Sequence, residues 1–174
     1  GEFSEEDLIP SEDTVITVTS TGYIKRQSPS AFRTQHRGGK GVTGMTTKDE
    51  DEISHILTAN THDDVYFFTS KGRVFKIKAY DLPEGSRQAK GQAVVNLINI
   101  EQGETLQTIL SLNKKGGAKF LLMATQKGTV KKTKISEFDS IRQSGKISIK
   151  LEGDDSLKWV VPTTGSDHIL LVSH

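Results

Sequence analysis

A short apolar segment of β-type residues recurs four times along the chain, at residues 15–19, 65–69, 121–125 and 169–173. The starts of these segments lie 50, 56 and 48 residues apart. That spacing is too long for one turn of a solenoid, but it fits a propeller-like blade of four short strands. The repeat therefore predicts an all-β protein, built as a propeller-like array of about three four-stranded blades plus the first strand of a fourth.

Each complete repeat continues in the same way after its first segment. A turn with glycine leads into a basic strand, as in Gly22-Tyr23-Ile24-Lys25-Arg26, because glycine supplies the positive φ of a tight hairpin. A third shared segment follows, at residues 40–44, 90–95 and 145–149. An apolar strand then closes each unit, at residues 53–59, 105–112 and 157–161. We therefore predict that every repeat opens with a hairpin and holds four strands.

Domain boundaries follow from where the repeats begin. We predict a tag remnant and acidic linker over residues 1–13 and one propeller-like domain over residues 14–174. Helical patterns are weak, because no long stretch keeps apolar residues at three- and four-residue spacing. The chain contains no cysteine, which fits a protein of the reducing cytoplasm. No apolar segment approaches the roughly 20 residues of a membrane span, so no membrane association is predicted.

Charge is segregated along the chain, although the net charge is only +1. Residues 14–44 hold five lysines and arginines and no carboxylate, whereas residues 45–64 hold six carboxylates and one lysine. Cations return in register at Lys76 and Lys132, the counterparts of Arg26. If equivalent strands occupy equivalent places, these cations follow one curved track that suits a polyanion. For any single basic strand, protection of a sheet edge is the alternative.

The most specific motif is Gln35-His36-Arg37-Gly38-Gly39-Lys40-Gly41. It is predicted to be an exposed loop in which three glycines let the backbone approach a ligand, with cations beside them. Such a loop suits phosphate oxygens, and a plain glycine-rich turn between two strands is the alternative. A nucleotide P-loop is excluded, because that motif needs Ser or Thr after Gly-Lys, and here Gly41 and Val42 follow Lys40.

The motif resembles the signature box of the carboxy-terminal domain of the DNA gyrase A subunit, which usually reads Gln-Arg-Arg-Gly-Gly-Lys-Gly. Six of the seven positions match, and His36 stands where arginine is usual. The box lies in the first of several repeats with Tyr23-Ile24-Lys25-Arg26 just upstream, and the resemblance runs from about Ser4 to His174. It implies a β-pinwheel, a propeller-like disc whose blades exchange strands and whose basic rim bends and wraps duplex DNA.

The resemblance also implies roles for individual residues. Arg37 and Lys40 are expected to contact DNA phosphates, the box glycines to permit the close loop, and Gln35 to bond a phosphate or brace the loop. His36 is expected to weaken the box modestly, since histidine is mostly uncharged at neutral pH. The predicted DNA-binding residues are Gln35, His36, Arg37, Gly38, Gly39, Lys40, Gly41, Lys25, Arg26, Arg73, Lys76, Arg87, Lys90, Lys131, Lys132 and Lys146.

No catalytic or metal site is predicted in this chain. Its five histidines have no cysteine companions and no metal-type spacing, and the acidic run at residues 49–52 is typical of a solvated loop. The resemblance implies that cleavage chemistry, ATP and Mg²⁺ belong to other parts of a gyrase, a type IIA topoisomerase of the bacterial cytoplasm and nucleoid. There the partners would be the core of the gyrase A protein and the gyrase B protein, in an A2B2 enzyme.

Two other functions stay open from the sequence. The corresponding protein of topoisomerase IV has a similar disc, which generally lacks an intact box, and a propeller-type protein–protein scaffold would show the same repeats. Gyrase discs usually hold about twice as many blades as the repeats counted here. Since a partial disc leaves sheet edges open, self-association of the fragment is also expected.

Overall fold

The computed structural model describes residues 4–37, 52–85, 89–112 and 116–164, with the backbone alone at residues 36 and 37. The strands are β1 (Asp13–Thr19), β2 (Tyr23–Gln27), β3 (Ile53–Asn60), β4 (Asp64–Thr69), β5 (Arg73–Lys78), β6 (Gln92–Ala93), β7 (Leu106–Leu112), β8 (Phe120–Thr125), β9 (Val130–Lys134), β10 (Lys146–Ile147) and β11 (Leu157–Thr163). One α-helix, α1 (Pro29–Arg37), and short 3₁₀ turns at Glu5–Leu8, Ala79–Asp81, Val94–Asn96 and Ile135–Phe138 complete the described part.

The strands form three sheets, which confirms the predicted all-β architecture. Their strand orders are β3-β1-β2-β6, β10-β5-β4-β7 and β11-β8-β9. The first strands of the repeats, β1, β4 and β8, lie in the interior of their sheets and are mostly buried. Burial on both faces explains why these strands read as continuous apolar runs and not as alternating patterns.

Each repeat opens with the predicted hairpin, closed by the same hydrogen bonds. Gly22, Gly72 and Gly128 have φ angles of 88°, 78° and 94°. The threonine three residues before each glycine uses its hydroxyl to accept the N–H of the residue after the glycine, at 3.1, 3.3 and 3.0 Å. The repeat in the sequence therefore corresponds to a repeated turn geometry.

The third shared segments of the second and third repeats complete the sheet of the preceding repeat, not that of their own. β6, from the second repeat, pairs with β2, so that Gln92 lies opposite Ile24. β10, from the third repeat, pairs with β5, so that Lys146 lies opposite Val74. This is the exchange of strands between neighbouring repeats that the resemblance implies.

The outer side of β9 is open in the described part of the chain. The third sheet has three strands there, with β9 at its edge. Ile24 and Val74, which exchanged strands cover, are fully buried, whereas their counterpart Val130 is 57% exposed. Such an edge is a site for strand pairing, and the expected self-association stays a prediction.

Helix α1 replaces part of the loop that the sequence predicted. Gln35, His36 and Arg37 form its last turn, so the prediction of a loop was wrong for these three residues. The helix begins where Ser28 accepts the N–H of Ala31 on its hydroxyl at 3.2 Å, with Pro29 following as the first helical residue. Serine before proline is a start signal for a helix, but nine residues are too few to show a sustained apolar period.

The chain divides into two compact units. The first comprises residues 1–66, 76–99 and 109–112, and the second comprises residues 67–75, 100–108 and 113–174. In the first unit, part of the predicted linker is bound to the turn after β3: Thr61 donates its hydroxyl to the Pro10 carbonyl at 2.7 Å, and its N–H goes to the Glu12 carbonyl. The predicted boundary between residues 13 and 14 stays a prediction.

Candidate nucleic-acid interface

Helix α1 presents a cation that the sequence analysis did not include in the site. Arg33 is exposed in the middle of the helix, about one turn before Arg37. The helix lies against β1 and belongs to the stretch of residues 14–44 that contains no carboxylate. Arg33 was missed because the sequence predicted no helix here, so nothing grouped it with the cations of the box.

The first residue of the box is tied to the sheet beneath it. Gln35 is half-buried, and its side-chain oxygen accepts a hydrogen bond from the Gln27 amide at 2.9 Å. His36 and Arg37 end the helix. Gly38, Gly39, Lys40 and Gly41 lie outside the described residues, so their predicted contacts with phosphate stay predictions.

The two cations of β2 hold a segment of the next repeat. Lys25 donates to the Ala89 carbonyl at 3.1 Å, and burial lowers the pKa of its ammonium group. Arg26 donates to the Leu82 carbonyl at 2.9 Å, and its guanidinium lies 3.9 Å from the carboxylate of Glu84. These contacts give both side chains a structural task whether or not they also meet DNA.

Lys90, just before β6, keeps its charge at the surface. The residue is exposed, and its ammonium nitrogen lies 5.2 Å from the centre of the Tyr23 ring. A cation over an aromatic face is attracted to it without losing contact with water. Lys76 is half-buried on β5, and Arg87 lies outside the described residues.

Arg73 is bound to a buried carboxylate in the second unit. Its guanidinium donates two hydrogen bonds to Glu104, at 2.6 and 3.0 Å, and the Glu104 side chain is fully buried. Burial alone raises the pKa of this carboxyl, but hydrogen bonds from Arg73, the Thr69 hydroxyl and the Glu101 N–H outweigh burial and hold the pKa at about 2. Arg73 therefore serves the fold through a strong ion pair.

Strand β9 presents a row of exposed cations in the second unit. Lys131, Lys132 and Lys134 are all exposed. Lys131 donates to the Ser148 carbonyl at 3.1 Å, and the Lys132 ammonium lies 4.4 Å from the centre of the Phe120 ring. Lys134 was not among the predicted site residues, although its position at the end of the same basic strand could have indicated it.

Lys146, on β10, is exposed but also anchored. Its ammonium donates to the Glu137 carbonyl at 2.6 Å and lies 5.9 Å from the centre of the Phe138 ring. A lysine held in this way presents its ammonium group at a fixed place, which suits a phosphate contact. Lys146 stays among the predicted DNA-binding residues.

The cations of the candidate interface differ in exposure, and two of the exposed ones, Lys131 and Lys146, also bind backbone carbonyls of their own unit. Lys25, Arg26 and Arg73 bind partners within their own unit, and Arg33, Lys90, Lys131, Lys132, Lys134 and Lys146 are exposed. Exposed lysines and arginines attract phosphate without needing a base-specific pocket. The predicted single track that joins them stays a prediction.

Two further features of the described residues bear on the kind of site. Over residues 4–37, 52–85, 89–112 and 116–164, no three His, Asp or Glu side chains are grouped so that they could hold a metal ion. Within the same ranges, no helix has the length and apolar character needed to cross a membrane.

Comparison with known families gives one match for each repeat. Residues 13–60, 63–113 and 119–164 match the family described as DNA gyrase C-terminal domain, beta-propeller. The matches follow the repeats that begin with β1, β4 and β8.

Curated relatives agree with that match. The chain is 45% identical over 173 residues to the DNA gyrase A protein of Mycolicibacterium smegmatis, covering 99% of this chain and 20% of the relative. It is 44% identical over 169 residues to the DNA gyrase A protein of Clostridium acetobutylicum, covering 97% of this chain and 20% of that protein. The chain thus spans about a fifth of the length of these curated relatives.

Solved structures give the same fold in two related proteins. The carboxy-terminal domain of DNA topoisomerase IV superimposes with a TM-score of 0.71 at 30% identity, covering 90% of this chain and 47% of that one. The DNA gyrase A carboxy-terminal domain superimposes with a TM-score of 0.57 at 27% identity, covering 84% of this chain and 46% of that one.

Proposed function

This chain belongs to the DNA gyrase C-terminal β-propeller family, and on that premise we propose that it binds duplex DNA and bends it around a basic surface. The observation that carries the proposal is the exposed Arg33 on helix α1. It belongs to a stretch of 31 residues, 14–44, that contains five cations and no carboxylate. Phosphate contacts of this kind give affinity with little base specificity.

The wider role proposed here is that of a gyrase A protein. Its DNA-wrapping domain would present a DNA segment of fixed handedness to the core of the enzyme, which introduces negative supercoils with ATP and Mg²⁺. In this proposal the chain carries no catalytic residue and no cofactor of its own, and it acts beside the gyrase A core and the gyrase B protein in the bacterial cytoplasm. The high identity to gyrase A proteins over nearly the whole chain supports this assignment.

A topoisomerase IV-type domain is the second candidate. Its supporting observation is the superposition on the topoisomerase IV domain, at a TM-score of 0.71. Such a domain would bind DNA and constrain little writhe, so the two candidates differ in wrapping and not in binding. The gyrase assignment is preferred because curated gyrase A relatives reach 45% identity, against 30% for that structure.

The test of wrapping is the linking number of a nicked plasmid that is ligated in the presence of the protein. We expect a positive shift that grows with protein concentration. In the double variant Arg37→Ala/Lys40→Ala, which removes two cations of the box, the shift should return close to zero. The distribution of topoisomers on an agarose gel measures both results.

Lys78→Ala is the matched control, because it removes a cation that already pairs with Asp64 at 3.1 Å. It should leave the shift unchanged. Binding without any shift in the unmodified protein would favour the topoisomerase IV-type role. No binding to DNA would reject both DNA-related functions and favour a protein–protein scaffold.

A second prediction concerns the role of Arg33. If Arg33 contacts a phosphate, Arg33→Ala should reduce the slope of log affinity against log salt concentration by about one unit. Lys78→Ala should leave that slope as it is, because the Lys78 charge is already paired with Asp64. Fluorescence anisotropy of a labelled duplex over a range of salt concentrations measures both slopes. An unchanged slope in Arg33→Ala would remove this residue from the interface.

A further inference from the structure

We infer that Gln27 is a positioning residue for the DNA-binding helix, acting through Gln35. The inference rests on the proposed function, and Gln27 lies outside both the box and the set of predicted DNA-binding cations. Its side chain donates to the Gln35 oxygen at 2.9 Å, which joins the end of β2 to the last turn of α1.

Gln27 is suited to this task because it is itself held firmly. It is 3% exposed and ends β2, where it lies opposite Val15 of β1. Its carbonyl oxygen accepts the Thr14 hydroxyl at 3.0 Å. A buried amide in such surroundings must be hydrogen-bonded, because leaving it unpaired costs free energy.

Besides its packing against β1, the helix is held by hydrogen bonds near both of its ends. It has nine residues, too short to be stable alone in water, and its start depends on the Ser28 hydroxyl. The start is therefore fixed by Ser28, and the bond between Gln27 and Gln35, eight residues apart in the chain, fixes the other end. Arg33 lies between these two hydrogen bonds, so its position on the surface depends on both of them.

The same geometry favours one of the two roles predicted for Gln35, that of a brace. Its side-chain oxygen accepts a hydrogen bond from the protein, and the residue is half-buried. Gln35 is therefore a brace for the helix. In this inference, its presence at the start of the box serves to orient the cations that follow it.

A double-mutant cycle on DNA affinity tests the inference. Methionine has nearly the shape of glutamine but cannot form the hydrogen bond, so the variants are Gln27→Met, Gln35→Met and the double substitution. We expect each single variant to bind a duplex about fivefold more weakly, and the double variant to bind no more weakly than either one. If Gln27→Met binds like the unmodified protein while Gln35→Met binds more weakly, Gln35 contacts DNA itself and the inference is wrong.

A second readout needs no DNA. Trypsin should cut after Arg33 about fivefold faster in Gln27→Met, while cleavage after Lys131 and Lys132 in the other unit stays unchanged. Equal acceleration at all sites would mean general destabilisation and would overturn the inference, as would no acceleration at Arg33. Gln35→Met, at a half-buried position, gives the same readouts should Gln27→Met fail to fold.

The control is Gln107→Met, which removes another glutamine hydrogen bond, to the Lys158 carbonyl at 3.3 Å in the second unit. It should affect neither DNA affinity nor cleavage after Arg33. If the unmodified protein does not bind DNA, the proposed function fails, and the protease experiment still decides whether Gln27 orders the helix.

Discussion

Replacing Glu104 with alanine should lower the free energy of unfolding by about 3–5 kcal/mol. Glu104 is fully buried and accepts hydrogen bonds from Arg73, from the Thr69 hydroxyl and from the Glu101 N–H. Its removal leaves the Arg73 guanidinium, only 19% exposed, without its buried counter-charge. Urea unfolding followed by circular dichroism at neutral pH measures the loss.

Glu101→Ala is the matched control from the same loop. The Glu101 carboxylate pairs with Lys71 at 3.3 Å, but both side chains are largely exposed. Water and salt screen such a pair, so the loss should stay below about 1 kcal/mol. Similar losses in both variants would show that the Arg73–Glu104 pair contributes no more than an ordinary surface contact.

The same carboxylate predicts how stability depends on pH. The pKa of Glu104 is about 2 in the folded protein, below its ordinary value of 4.5, so the folded state binds this proton less readily than the unfolded state. The resulting stabilisation, about 3 kcal/mol, is fully present above roughly pH 5 and is lost as the pH falls towards about 2. Glu104→Ala should remove this part of the acid sensitivity. Equal pH profiles for the two proteins between about pH 5 and pH 3 would contradict the assignment.

Gly72→Ala should lower the free energy of unfolding almost as much, because the added methyl group clashes with the backbone. Gly72 has a φ of 78°, and a Cβ atom there would lie 2.3 Å from the carbonyl oxygen of Ile149. The substitution combines left-handed strain with displacement of the segment that follows β10. We expect a loss of about 2–5 kcal/mol in the free energy of unfolding.

Gly128→Ala separates the two causes. Gly128 occupies the same turn in the next repeat with a φ of 94°, but a Cβ atom there would meet no atom within 4 Å in the described structure. Only the strain remains, which amounts to about 1–2 kcal/mol. Equal losses of unfolding free energy for the two variants would mean that the segment around Ile149 can move away from residue 72 at little cost.

The repeating parts of the fold could be predicted from the sequence, because local patterns set them. Apolar runs predicted β1, β4 and β8, and the glycine turns predicted the hairpins. Helix α1 was missed because its start depends on one serine hydroxyl and its end on a hydrogen bond between Gln27 and Gln35, eight residues apart in the chain. The local sequence of β6 and β10 does not indicate which sheet each strand joins. Both strands have only two residues, which is too short to show a hydrophobic pattern.

The sequence predicted which strands carry the cations of the candidate site, but not which of these cations form ion pairs within the fold. Arg26 and Arg73 stand in basic strands with no acid nearby in sequence, so both were expected at a DNA surface. Their partners, Glu84 and Glu104, come from later parts of the chain, and folding brings them close. Local charge therefore indicates which strands are basic, whereas pairing across the fold decides which charges remain exposed.

Because β6 and β10 each join the sheet of the preceding repeat, both of these sheets contain strands from two sequence repeats and do not coincide with one repeat of the gene. A repeat copied by duplication within the gene brings both a strand to donate and an edge that accepts one. An array can therefore gain a repeat without leaving a new sheet edge uncovered. It can also lose an internal repeat, because the neighbours on either side can still pair with each other. This arrangement makes blade number easy to change in evolution, and with it the length of surface available to a ligand.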